Sequence, residues 1–275
     1  KQDTREQDCF EANMDCKMDF ADVKGQWAAK EAIATAVCGY HSILMMGPPG
    51  VGKTMLARRI PSILPPMSPK EKLETEIIYS VSGRLFNNKK DITERPFRTV
   101  DNRITKAGLI GGGNPPYPGE VSFAHNGVLF MDEFLEFERS KIEALRKPME
   151  EKEVHLSRQG ESYCFPSSFL LVAATNPCRC GHFGDENRIC TCSRTQIDQY
   201  RNRLSGPVAD RIDIFFEINS VDYETIESYE AGSSAVLGEK VRRGRRIQEE
   251  RFRDHKITFN SQMEETHIKA YCSLA

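Results

Sequence analysis

Residues Gly47-Pro-Pro-Gly-Val-Gly-Lys-Thr54 carry the spacing G-x-x-x-x-G-K-[ST]. In such a loop, glycine-rich backbone turns its N–H groups toward phosphate oxygens. The lysine reaches the terminal phosphates as a point charge, and the hydroxyl supplies a Mg²⁺ ligand. An apolar run, Ser42 to Met46, precedes the loop and a helix-like run, Met55 to Ile60, follows it. Strand, loop and helix in that order are the context the motif requires, and a chance glycine turn would lack it. Gly47, Pro48, Pro49, Gly50, Val51, Gly52, Lys53, Thr54 and Met55 are therefore read as the nucleotide-binding set, for ATP with Mg²⁺.

Hydrolysis needs further groups, and the chain offers three in order. Val128-Leu-Phe-Met131 is wholly apolar, as suits a buried parallel strand. It delivers Asp132 and Glu133 at the end where open α/β sheets bind ligands. Asp132, with Thr54, is the expected Mg²⁺ partner, and Glu133 the general base that polarises the attacking water. The competing reading of Asp-Glu is a helix cap. A second apolar run, Phe169 to Thr175, ends in Asn176, whose amide can orient that water. Asp210-Arg-Ile-Asp213 then leads into Ile214 to Ile218. Arg211 is either an arginine finger that reaches a neighbouring subunit's γ-phosphate or a local partner of Asp210 or Asp213.

The elements that must position these groups read as alternating strands and helices, which implies a parallel sheet. Trp27 to Val37 forms an alanine-rich helix and Glu138 to Glu150 a second one. Glu153 to Arg158 and Glu161 to Phe165 alternate like strands on either side of Gln159-Gly160, a β-hairpin whose tip presents Arg158 and Gln159.

With 275 residues, 39% hydrophobic and 28% charged, the chain can bury a full α/β core. A formal net charge of −2 gives no global basic field, so any nucleic-acid contact must come from a local patch. The lack of an 18-residue apolar run excludes a membrane-spanning helix, and nine cysteines, an odd number, suit a reducing, cytoplasmic setting.

Phosphate loop, Asp132-Glu133 strand, Asn176 and the Asp-Arg-Ile-Asp segment together resemble an AAA+ ATPase. More narrowly, Arg95-Pro-Phe-Arg98, Gly111 to Glu120, Ala124-His-Asn-Gly127 and Asn176-Pro-Cys-Arg-Cys-Gly181 resemble the magnesium-chelatase-like ComM/YifB family, from about Asp19 to the C-terminus. One segment departs: Thr99-Val-Asp-Asn-Arg103 stands where that family has a Ser-Pro-His-His-Thr-like run. The resemblance implies an α/β AAA+ P-loop NTPase core with a central parallel sheet, the β-hairpin, a helix-two insertion within Glu94 to Asn126, and the start of a helical lid. The expected organisation is a linker over 1–18 after an absent N-terminal domain, the ATPase core over 19–258 and a truncated lid over 259–275, with no position assignable to the lid's sensor arginine. Val23 and Gly25 are expected near the adenine, with core packing an equal explanation of both, and Lys53, Thr54, Asp132, Glu133, Asn176 and Arg211 around ATP at the interfaces of a homo-oligomer, a hexamer in the family. The implied task is DNA processing by a ring-forming motor of helicase or branch-migration type. A chelatase-type subunit that remodels a protein partner is the alternative, and a nucleotide-dependent scaffold with negligible turnover a third reading.

Two further clusters stand out. Cys178-x-Cys180 and Cys190-x-Cys192 can make a structural Zn²⁺ site, with His182 a possible replacement for one thiol, or remain four reduced cysteines on a loop. Their C-x-C spacing is tighter than the usual zinc knuckle. Arg242 to Arg246 is the densest basic run and reads as a solvated helix face partnered by Glu239, Glu249 and Glu250. Arg194, Arg201 and Arg203 suit a subunit interface or a DNA path.

Overall fold

The computed structural model of the chain describes residues 18–83, 92–158, 160–185, 188–219 and 232–272. The linker expected over 1–18 lies outside them except for Met18, as do Gln159 and the side chain of Arg158 at the hairpin tip. The strands are β1 (Ile43–Met46), β2 (Phe97–Val100), β3 (Gly111–Gly112), β4 (Tyr117–Pro118), β5 (Val128–Met131), β6 (Glu153–Arg158), β7 (Glu161–Pro166), β8 (Leu170–Thr175) and β9 (Ile214–Glu217). The helices are α1 (Trp27–Gly39), α2 (Lys53–Arg59), α3 (Pro69–Val81), α4 (Lys106–Ile110), α5 (Glu120–Phe123), α6 (Arg139–Ala144), α7 (Arg146–Glu151), α8 (Arg194–Arg201), α9 (Gly206–Ala209), α10 (Ser234–Arg251) and α11 (Glu265–Tyr271).

Five strands pair in the order β2-β5-β8-β1-β9, every neighbour parallel. The period-2 alternation of a strand sorts their side chains into two cores. Ile43, Met45, Val128, Phe130, Leu170, Val172 and Ala174 face α1, α2 and α10, where they meet Ile33, Leu56 and Val241. Leu44, Leu129, Met131, Leu171 and Ala173 face the opposite layer, with Leu109, Val121, Ile142, Tyr200 and Val208. Burial on both faces explains why β5 and β8 are continuously apolar rather than alternating. Each such Val, Leu, Ile, Phe or Met side chain contributes about 1.5–3 kcal/mol.

The segment from Glu94 to Asn126 is not wholly an insertion. Phe97–Val100 is the edge strand of the main sheet, with Val100 opposite Met131. Beyond it, α4, the two-residue pair β3 and β4, and α5 form the added layer. Two part-buried ion pairs fasten the segment, the first to α3 and the second between β2 and α5. Arg95 makes a bidentate contact to Glu71, 2.9 Å to each oxygen, and donates to the Asn126 carbonyl at 2.7 Å. Arg98 grips Glu120 at 2.6 and 2.9 Å.

The helix expected over Glu138 to Glu150 is two helices that meet at Leu145. Pro148 is the reason: it has no N–H for the Ala144 carbonyl, and its ring crowds that turn. The hairpin pairs as expected, Glu153 opposite Pro166 and Arg158 opposite Glu161. On α10, Arg242 and Arg246 contact Glu239, in keeping with a solvated face. Arg245 departs from that reading. It is buried, donates to the Val37 carbonyl at 2.9 Å, and lies 4.1 Å from the Phe259 ring centroid. Phe259 in turn stacks on Tyr40 at 4.7 Å, so the residue expected to open the lid is packed on the core.

Candidate nucleotide-binding site

The carboxyl ends of β1, β5 and β8 bring the candidate residues together. In register, Met46 lies opposite Thr175, and Met131 opposite Ala173, so the segments that follow these strands emerge side by side. The Gly47 N–H donates to the Thr175 carbonyl at 3.2 Å, which ties the root of the phosphate loop to the Asn176 strand. The loop turns into α2 at Gly52, whose φ of 91° is left-handed backbone open to glycine at little cost. Met55 follows on the first turn of α2 with 47% of its surface exposed.

Lys53 is the centre of the site. Its Nζ donates to the carbonyls of Gly47 at 2.6 Å and Pro48 at 2.8 Å and to Asn176 Oδ1 at 3.1 Å. Burial penalises its charge and, against the attraction of Asp132 and Glu133, lowers its pKa to about 8. Thr54 Oγ1 donates to Asp132 Oδ2 at 2.7 Å. Two oxygens at adjacent corners of a Mg²⁺ octahedron, each about 2.1 Å from the ion, stand about 3 Å apart, so this pair fits that ion. The Glu133 N–H donates to Asp132 Oδ1 at 2.9 Å, and Glu133 holds a left-handed φ of 49° with its side chain exposed. Non-glycine residues adopt that conformation at a cost of about 1–2 kcal/mol, and such positions cluster at working sites.

Val23 and Gly25 lie before α1. Val23 is in the core, and its carbonyl accepts from the buried Lys30 Nζ at 2.6 Å. Gln26, which sequence reading passed over, links the start of α1 to the phosphate loop: its Nε2 donates to the Asn219 carbonyl at 2.8 Å and reaches the Val51 carbonyl at 3.5 Å. The only sequence signal was its place in Val-Lys-Gly-Gln. Arg211 lies apart from this cleft. It pairs with neither Asp210 nor Asp213: its NH2 meets Glu150 at 3.0 Å, and its NH1 donates to the Pro207 carbonyl at 2.8 Å.

Of the other candidate basic residues, Arg201 and Arg203 hold backbone carbonyls and Arg194 stays on the surface of its own helix. Arg201 Nε donates to the Pro177 carbonyl at 3.2 Å, and Arg203 NH1 to the Leu135 carbonyl at 2.8 Å, while Arg194 stands 3.8 Å from Asp198. The departing segment at Thr99–Arg103 closes on itself: Arg103 contacts the Asp101 carboxylate through its backbone N–H and guanidinium at 2.8 to 2.9 Å. Cys178, Cys180, Cys190 and Cys192 converge, and His182 is not among them; its Nδ1 pairs with Asp185 at 3.1 Å.

A parallel sheet with this strand order, a phosphate loop after β1 and an acidic pair after β5 defines an AAA+ type P-loop core. The magnesium chelatase subunit ChlI family model matches residues 19–226. The chain is 44% identical over 239 residues to competence protein ComM of Haemophilus influenzae, covering 85% of this chain and 46% of that protein. It is 40% identical over 259 residues to the uncharacterized protein YifB of Salmonella typhimurium, covering 93% of this chain and 50% of that one. A magnesium-chelatase 67 kDa subunit of Heliobacterium mobile is more distant, 26% identical over 185 residues, 57% of this chain and 28% of the subunit. The chain belongs to the magnesium-chelatase-like ComM/YifB family, whose relatives are of AAA+ ATPase type and imply use of ATP and Mg²⁺. It spans about half the length of the curated relatives it matches, 46% and 50% of these two. Among the described residues no helix is long and apolar enough to cross a membrane.

Proposed function

We propose that this chain is the Mg²⁺-ATP-hydrolysing core of a ring-forming, cytoplasmic DNA-processing motor. The observation that carries the ATPase reading is the single cleft in which Lys53 meets Asn176 at 3.1 Å and Thr54 meets Asp132 at 2.7 Å. Phosphate oxygens replace the Gly47 and Pro48 carbonyls as partners of the Lys53 ammonium. Thr54 and Asp132 hold Mg²⁺, which neutralises charge on the transferring phosphoryl group. Glu133 takes the proton of the attacking water, and Asn176 orients that water. Arg211 acts in trans, exchanging its exposed partner Glu150 for the neighbour's γ-phosphate, so that each site is completed by the next subunit of a hexamer.

The DNA client is supported by family resemblance and by the hairpin, which pairs as a two-stranded sheet separate from the main one. Likeness to the magnesium-chelatase subunit supports the alternative, a protein-remodelling role. Steady-state ATPase activity of the full-length protein with and without branched DNA separates them, with Lys53→Ala as control. Stimulation absent from the control supports the motor. ATPase activity indifferent to DNA rejects it in favour of a protein client.

A further inference from the structure

Four sulfurs converge directly after Asn176. Cys178, Cys180, Cys190 and Cys192 have their Sγ atoms mutually within 4.8 Å. Cys178 and Cys180 are 3.4 Å apart, Cys178 and Cys190 3.7 Å, and Cys180 and Cys190 3.6 Å. A disulfide would hold two of them at about 2.05 Å, and all four are free. Tetrahedral zinc with Zn–S bonds of about 2.3 Å separates its ligands by about 3.8 Å. The observed spacings approach that edge length, although the C-x-C spacing is shorter than a zinc knuckle normally uses.

We propose that these four cysteines bind one Zn²⁺ and that this closed site braces the loop behind Asn176 against the phosphate loop. An all-sulfur donor set is soft and selects zinc over the hard cations of the nucleotide cleft. Four protein ligands leave no position for water, so the ion is structural.

The brace follows from what the loop touches. A Cβ on Gly181 would lie 2.9 Å from Pro49 Cδ and 3.9 Å from Asn176 Cγ, so the backbone of the cysteine loop rests directly on the phosphate loop and on Asn176. On its other side, Arg201 lies 5.0 Å from the Phe183 ring centroid and holds the Pro177 carbonyl. A metal that joins Cys178 to Cys190 and Cys192 therefore fixes the contact between Gly181 and Pro49. This coupling rests on the nucleotide reading of the cleft; the metal site itself does not.

The test uses the full-length protein, purified reduced. Elemental analysis should return one zinc per chain, and cobalt exchanged into the site should give the intense visible bands of a tetrahedral tetrathiolate. Absence of bound metal after incubation with zinc and desalting overturns the site, as does a weak octahedral cobalt spectrum. Because the first readout is on the wild-type protein, misfolding of Cys178→Ser or Cys190→Ser cannot obscure it. Stripping zinc with a chelator should weaken binding of a fluorescent ATP analogue about tenfold, with recovery on zinc return; unchanged affinity overturns the brace. Lys53→Ala should lose the nucleotide yet keep its zinc, which separates failure of the cleft reading from failure of the metal site.

Discussion

Nucleotide binding should be linked to proton uptake at Lys53. In the free protein Lys53 is 8% exposed and burial lowers its pKa to about 8. Bound phosphates add negative charge to that of Asp132 and Glu133 and return the group toward the ordinary lysine value of about 10.4. At pH 7, binding then takes up about 0.1 proton, at pH 8 about 0.5 and at pH 9 about 0.9. The apparent affinity for Mg-ADP falls about tenfold between pH 7 and pH 9, because only the charged lysine binds and the free cleft is increasingly neutral. Titration calorimetry in buffers of different ionisation enthalpy reads the protons directly, and Lys53→Arg, charged throughout, should abolish the uptake. Stability of the free protein changes in the opposite direction. The folded-state pKa is depressed, so the unfolded chain binds more protons between about pH 8 and 10.4, and this group makes the fold more stable as pH rises through that window. Proton uptake of zero at pH 8, or equal uptake by wild type and Lys53→Arg, would refute the reasoning.

Mixing Arg211→Ala subunits with Lys53→Ala subunits should restore part of the ATPase activity, since each spoils a different side of a shared site; an assembled mixed ring without recovery argues against action in trans. Phe130→Ala empties a fully buried position that stacks on Phe97 at 6.1 Å, and chemical denaturation should show a loss of about 3–5 kcal/mol. Arg95→Ala leaves Glu71 half-buried without its bidentate partner, so the expected loss is about 3 kcal/mol, with Arg95→Lys recovering only part of it.

Local pattern made some parts of the molecule readable before the fold was known. The phosphate loop is contiguous and its flanks have the right periods, and β5 announces itself because a strand buried on both faces cannot hide a polar residue. The hairpin was visible from alternation around Gln159-Gly160. What escaped depends on partners distant in the chain. Strand β2 is an edge strand carrying Arg98 and Thr99, only partly buried, so its four residues look like part of a proline- and glycine-rich insertion. Arg245 reads as a surface charge until Tyr40 and Phe259 are placed around it. Gln26 and Gly181 matter through contacts to Val51 and Pro49, pairs that no spacing rule connects. The break at Leu145 was different: Pro148 signalled it, and the periodic charges of the segment masked that signal.

The most direct test of the central claim is steady-state ATP hydrolysis by the full-length protein beside its Glu133→Gln variant, with nucleotide affinity measured on both. Retained affinity with turnover reduced at least about a hundredfold is the predicted outcome. Undiminished turnover in Glu133→Gln, or no turnover above that of Lys53→Ala in the wild-type protein, would contradict it.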